Sequence, residues 1–503
     1  VYNHTNAAGL EGKSVLDKVV PGYYHRLGVQ SGSVESSSCC ANTATEHHMM
    51  GKLMADTALR WARDYKVDGF RFDLMGLHMK ADMLKVQSAL SALTVAQDGV
   101  DGSKIYLYGE GWDMGELAKQ ARGVNANQLN MAGTGIGTFN DRLRDGARGG
   151  GPFDNGCDLT KMPPQCDIRK NQGFSSGLFL DPNELNTPPA QADQDKLGHN
   201  LDLIKIGMAG GLSDFRILLF DHTVSVPAGA VGYNGQGAGY TQLPQESINY
   251  VSSHDNQILW DIEQYKMPTG RSMADRLRAD LLAMDVVLLG EGIPFFHMGD
   301  DLLRSKSMDK NSYDSGDWFN RVDWTGQGNG WRSGLPNAID DAANWTLVKK
   351  IFADSSIAPG ASDIAAASAH FQELLKVRKS SPLFRLAQKS QVMTRVDFQN
   401  AGVGQTPGVI VMTITDGNCA GADLDPARDA LVIVVNADKA SQAMAVAGAS
   451  GFTLHSVLQN SADPIVRTAS FSGGTFTVPA RTTAVFEQLQ SGAQGAGLPC
   501  NTR

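Results

Sequence analysis

The sequence predicts an α/β chain of serial strand and helix units followed by an antiparallel β-sandwich. Helical apolar stripes alternate with short continuous apolar runs over most of the chain, the rhythm of βαβ units on a mostly parallel sheet. Beyond a last helix around 367–378, the texture changes to short β-rich segments separated by turn residues, the pattern of a sandwich. No G-x-G-x-x-G follows an early strand, so among βα-unit folds a TIM barrel gains over a nucleotide-binding doubly wound sheet.

Taken in order, Met50, Leu53, Met54, Ala58 and Trp61 recur at helical spacing between Glu46 and Lys66, and 67–72 reads as a strand. A second helix carries Met83, Val86, Leu90 and Leu93, and the run 105–108 is a buried strand. The rhythm continues at 138–139, 248–252 and 293–298, with a helix over 273–289 before the last. Further strands are expected at 392–398, 409–414, 430–435, 452–457 and 475–487. The boundary falls near Pro382, giving a domain over residues 1–382 and a sandwich over 383–503.

Composition excludes several classes. The chain has 503 residues, 42% hydrophobic, with a net charge of −9, which argues against a nucleic-acid or anionic-membrane partner and suits a neutral substrate. No apolar run is long enough to span a bilayer. The six cysteines, Cys39, Cys40, Cys157, Cys166, Cys419 and Cys500, lack C-x-x-C metal or redox spacing, and their even number suits disulfides in an exported protein. Cys419 and Cys500 are expected to tie the C-terminal tail to the sandwich, and Cys39 and Cys40 to form a vicinal bridge.

Four clusters carry the chemistry. In Asp68-Gly69-Phe70-Arg71-Phe72-Asp73, a period of two puts Arg71 and Asp73 on one face of the strand and Phe70 and Phe72 on the other. A cation beside Asp73 keeps it ionised, as a nucleophile requires. In Tyr106-Leu107-Tyr108-Gly109-Glu110-Gly111-Trp112-Asp113, Glu110 stands between glycines that let a substrate approach. Aromatic neighbours at Tyr108 and Trp112 disfavour its charged form, as a general acid requires. Ser252-Ser253-His254-Asp255-Asn256 adds a third carboxylate after another strand, and Val1-Tyr2-Asn3-His4-Thr5 adds a histidine.

In this order the four segments resemble the signature regions of the α-amylase superfamily. The G-E-G-W form of the second, the run Gly135 to Asp145, and Asn311-Ser312-Tyr313-Asp314-Ser315-Gly316-Asp317 make the chain similar to type I pullulanases and limit dextrinases. The resemblance implies a (β/α)8 barrel and starch debranching: hydrolysis of α-1,6-glucosidic links by a retaining double displacement. It implies Asp73 as nucleophile, Glu110 as acid/base and Asp255 as the third, stabilising carboxylate. Arg71 would orient Asp73, His4 and His254 would hydrogen-bond the sugar, and Tyr2 and Trp112 would offer aromatic faces to sugar rings. It further implies an α-glucan substrate, no catalytic cofactor, a structural calcium to which Asn3 contributes without a definable ligand set, a monomer, and a secreted or cell-surface location. The first signature normally opens with an Asp two residues before the position of Val1, so the barrel is expected to lack its first strands in these residues, which alone should be inactive. Two alternatives remain: another enzyme of the superfamily, such as an isoamylase or an α-1,4-acting amylase, and a disabled glycan-binding protein.

Overall fold

The structure is a computed structural model that describes residues 2–10, 12–161 and 164–503, so Val1 of the first cluster lies outside the described residues. The chain forms two compact units: Val1–Phe139 with Tyr240–Ile248, and Asn140–Gly239 with Asn249–Arg503. The sandwich region belongs to the second unit.

In the first unit, strands Gly69–Phe72, Tyr106–Gly109 and Gly137–Asn140 are neighbours, each parallel to the next. Strand Ser247–Asn249 follows them in the same sheet. The two crossovers from the first strand to the third carry helices, as parallel pairing requires. Helix Lys80–Ser91 lies between the first two strands, and helix His48–Tyr65 precedes them. The helix His48–Tyr65 buries Met50, Met54, Ala58 and Ala62, a run at i, i+4. Leu53 and Trp61, placed on that stripe from sequence, lie one step around the helix and are exposed. The core gathers Met54, Phe72, Met83, Val86, Leu90 and Leu107. Phe70 packs against it from the edge, as the period of two predicts.

In the second unit, helices Gln191–Met208, Met273–Leu288 and Ala361–Ser380 pack into one large core shared with the sandwich. Strand Ile293–Pro294 extends the sheet order beyond Ser247–Asn249, with the Phe295 N–H donating to the Asn249 carbonyl at 2.8 Å. It stops well short of the expected 293–298; proline has no N–H for a ladder. Helix Arg378 caps the carbonyls of Leu288 and Gly290, both at 2.7 Å, closing the C-terminus of helix Met273–Leu288.

The sandwich has a five-stranded antiparallel sheet, led by Val409–Thr415, Arg428–Asn436 and Thr482–Leu489, and a three-stranded one of Gln442–Ala445, Ser470–Ser472 and Thr475–Val478. Phe476 of the smaller sheet lies 4.9 Å from Phe486 of the larger and also meets Phe452 and Phe471. Two expected strands are shorter. Residues Lys389–Arg395 are helical because the Gln388 N–H is taken by the Gln391 side chain, and only Val396–Phe398 extends. Thr453–Leu454 gives way at once to helix Ser456–Gln459. All three cysteine pairs are bridged: Cys39 to Cys40, Cys157 to Cys166, and Cys419 to Cys500. The tail beside Cys500 is also held by Leu498, whose N–H donates to Thr415 Oγ1 at 3.1 Å.

Phe476 is fully buried among three aromatic rings. Phe476→Ala should lower stability by about 3–5 kcal/mol, read as an earlier denaturant midpoint. An unmoved midpoint would mean the two sheets do not depend on this contact.

Candidate active site

Arg71 is the centre of the first unit's site. One terminal nitrogen donates to Asp73 Oδ1 at 2.5 Å and the other lies 2.7 Å from Glu110 Oε1, so one guanidinium bridges both carboxylates. Oxygens of the two carboxylates lie within 4.8 Å of each other. The parallel register Phe72↔Gly109 brings the two strand ends level, which is why residues 37 apart in sequence meet. Arg71 also stands 5.8 Å over the Phe139 ring, and Tyr108 lies 5.9 Å from the same ring.

Glu110 is buried, and the amide of Leu74 donates to its Oε2 at 2.7 Å. The Gly76 N–H donates to the Glu110 carbonyl at 2.9 Å. Leu74 adopts φ 40, ψ 49 to aim its amide this way, a left-handed conformation that costs a leucine about 1–2 kcal/mol. A Cβ at Gly76 would run into the Trp112 carbonyl. Beside its aromatic sequence neighbours, the Glu110 carboxylate meets a guanidinium and a backbone amide, a polar cradle invisible to a nearest-neighbour pattern.

His4 sits on a short strand paired with Ala41–Asn42, and its Nδ1 lies 2.6 Å from Asn3 Nδ2. Burial holds its imidazole below the ordinary value, with the charge of Asp73 opposing. Cys39 Sγ lies 3.9 Å from its Nε2. Tyr2 is half-buried, its ring 6.0 Å from that of Phe72 at the edge of the core. Trp112 is half-buried. Asn3 is buried with Oδ1 lacking a hydrogen-bond partner, which is one oxygen for a cation. Its neighbour His4 clusters with Cys39 and Cys40, whose sulfurs are bridged, and this cluster does not supply the oxygens calcium prefers.

In the second unit, Tyr250 and Val251 continue from strand Ser247–Asn249 and are fixed by two buried arginines. Arg144 donates to Tyr250 Oη at 2.6 Å and Arg148 to the Val251 carbonyl at 2.8 Å. Ser252 Oγ accepts from the Leu259 N–H at 3.2 Å, turning the chain into helix Leu259–Lys266. His254 and Asp255 lie on the intervening loop, with side chains 49% and 61% exposed and His254 Nε2 3.6 Å from Asp255 Oδ1. Sequence reasoning missed His297, whose pKa burial pushes down to about 3, with further lowering by Lys306, Arg304 and His254. It also missed Leu74 and Phe139 as supports of the carboxylate pair; neither carries a polar side chain.

Two carboxylates at the ends of neighbouring parallel strands, bridged by one cation, define the arrangement of a glycoside hydrolase site. Comparison with known proteins narrows this class. Residues 326–489 match the family model "Alpha-1,6-glucosidases, pullulanase-type, C-terminal". The chain is 44% identical to a pullulanase of Klebsiella pneumoniae, over 100% of this chain and 44% of that protein. It is also 44% identical to the chloroplastic pullulanase 1 of Arabidopsis thaliana, over 98% of this chain and 50% of that protein. Its fold matches the crystal structure of a maltotriose complex of PulA from Klebsiella pneumoniae with a TM-score of 0.90 and 43% identity, over 99% of this chain and 51% of that one. The chain is similar to pullulanases along essentially its whole length, and it spans about half the length of the relatives it matches.

The loop after Asp73 ends in His78, fully buried, with neither ring nitrogen hydrogen-bonded. Burial pushes its pKa down to about 3, so the folded protein keeps it neutral, while the unfolded chain binds a proton near 6.5. Stability should therefore fall as pH drops below about 6.5 toward 3. Denaturation midpoints at pH 7 and pH 5 should differ less in His78→Gln than in the wild type; equal differences would place the acid sensitivity elsewhere.

Proposed function

We propose that this protein is a starch-debranching glycoside hydrolase that cleaves α-1,6-glucosidic links in pullulan, limit dextrins and amylopectin with retention at the anomeric carbon. The observation that carries this reading is the carboxylate pair of Asp73 and Glu110, bridged by Arg71 with oxygens within 4.8 Å. Retaining enzymes hold their two carboxyl groups about 5–5.5 Å apart, whereas inverting ones leave room for a water between them. Asp73 attacks the anomeric carbon and Glu110 protonates the leaving oxygen. Glu110 then takes a proton from the water that releases the glycosyl group from Asp73. Donors already in place around the pair need no reorganisation as charge moves.

The resemblance to pullulanases supports the remaining roles: Asp255 as the third carboxylate, stabilising positive charge on the sugar ring, His4 and His254 as hydrogen-bond partners of the sugar, and Tyr2 and Trp112 as aromatic platforms. Residues 1–382 are read as part of a (β/α)8 catalytic barrel, which the parallel strands and their crossover helices support, and 383–503 as the C-terminal sandwich domain. The chemistry needs no cofactor. A neutral α-glucan suits a chain with net charge −9, and a relative's complex with maltotriose supports the same substrate class. Three disulfides suit a secreted or surface-exposed monomer. No helix of the described residues is long and apolar enough to cross a membrane.

Pullulan should yield maltotriose as the main product, and Asp73→Asn should abolish its release with little change in stability. Panose as the product, or no cleavage by the full-length wild-type protein, would remove the α-1,6 assignment.

Glu110→Gln should lose most activity on pullulan but much less on a glucoside with a very good leaving group, which needs no protonation. Equal losses on the two substrates would assign Glu110 a different role.

A further inference from the structure

Arg26 lies outside every motif of the site, yet its side chain is only 1% exposed and four of its five guanidinium N–H groups are engaged. It makes a bidentate pair with Glu46, Nε and Nη2 each donating at 2.8 Å. Nη1 donates to Glu116 Oε1 at 2.8 Å, and Nη2 also donates to the Leu77 carbonyl at 3.0 Å. Its own N–H donates to the Asn42 carbonyl at 2.9 Å.

Each partner belongs to a different segment of the site. Leu77 closes the turn that starts at Leu74, the residue whose amide holds Glu110. Glu116 ends the loop that runs from Glu110 past Trp112. Asn42 is the strand partner of His4, and its Nδ2 donates to both Glu116 oxygens, at 2.9 and 3.1 Å, and to Ser37 Oγ at 2.7 Å. The planar guanidinium thus holds Leu77, Glu116 and Glu46 at once, which a flexible ammonium does less well, while Asn42 joins the cluster through the Arg26 main-chain N–H and through Glu116. Burial works against its charge, but Glu46 and Glu116 more than offset this and hold Arg26 ionised.

We propose that Arg26 is a positioning residue of the reaction: by clamping the Leu77, Glu116 and Asn42 segments together, it sets the placement of Asp73, Glu110 and His4 relative to one another. The inference rests on the debranching function proposed above. Arg26 touches neither carboxylate, so its effect passes through geometry. A misplacement of reacting groups by about 1 Å is enough to lower the rate about 100-fold. Because the clamp acts on the placement of the reacting groups, the loss is expected on kcat far more than on KM.

The test measures kcat and KM on pullulan for wild type, Arg26→Lys, Arg26→Met and Glu116→Gln, with melting temperatures alongside. For Arg26→Met the expected result is a kcat lower by about 10- to 100-fold at nearly constant KM, with Arg26→Lys restoring part of it. The loss should be smaller on a substrate with a very good leaving group, since misplacing Glu110 matters most when protonation is needed. Should Arg26→Met fail to fold, Glu116→Gln, which keeps the pair with Glu46, is expected to show the same kcat loss. Folded variants with wild-type kcat, or with losses in KM alone, overturn the assignment while leaving the debranching function standing. A full-length wild-type protein that releases no maltotriose overturns that function, and with it any catalytic positioning by Arg26.

Discussion

Two carboxylates with oxygens inside 4.8 Å repel each other, and the first unit's site depends on a cation that makes the pair tolerable. Arg71 fills that place because strand pleating puts it on the face of Asp73 and parallel pairing sets Glu110 level with it. The guanidinium is planar and always charged, so it serves both carboxylates in one fixed geometry. What surrounds it follows from that demand. Phe139 supports the guanidinium face, Leu74 bends into a left-handed conformation to give Glu110 an amide, and Gly76 stays bare so that the Trp112 carbonyl can approach. The strain at Leu74 sits where positioned donors matter most, consistent with a site that stores cost locally and is supported by its surroundings.

Buried arginines recur at several places where a strand, helix or turn ends and its backbone groups lose their regular partners. In the second unit, Arg144 and Arg148 hold Tyr250 and Val251, the residues that deliver the chain to His254 and Asp255. Arg378 does the same for the carbonyls that end helix Met273–Leu288. In the first unit, Arg26 takes the Leu77 carbonyl. Buried carbonyls must find donors, and an arginine with five N–H groups satisfies several at once. The same bonds that meet this requirement fix the loops carrying the chemistry, so stability and function share the same contacts.

Where sequence reading went astray, a local contact overrode a pattern. Residues 392–395 have strand-like composition, yet the Gln388 to Gln391 bond starts a helix there. Trp61 fits a helical period but lies beside the buried run of Met50, Met54, Ala58 and Ala62. The 18-residue helix Gln191–Met208 escaped notice because, within its buried stretch, Asn200, Asp202 and Lys205 interrupt the apolar pattern. Two of them meet tertiary partners: Lys205 donates to the Asn400 carbonyl at 2.9 Å, and Asp202 accepts from the Phe220 N–H at 3.0 Å. A polar residue in a core looks like a surface residue until its partner is known.

The sequence by itself determined what is local or periodic. It placed Arg71 beside Asp73, set Glu110 between glycines, divided strands and helices from the sandwich, and supplied cysteines in an even number, because pleat, turn chemistry and residue parity act over a few positions. Only the tertiary structure decided that Arg71 also reaches Glu110, that a backbone amide at Leu74 completes the cradle, and that Arg26 meets Leu77 and Glu116 across 51 and 90 residues. These contacts are made by groups whose sequence neighbours are ordinary. A buried donor and acceptor choose each other by position in the packed chain, and no period or spacing in the sequence encodes that choice.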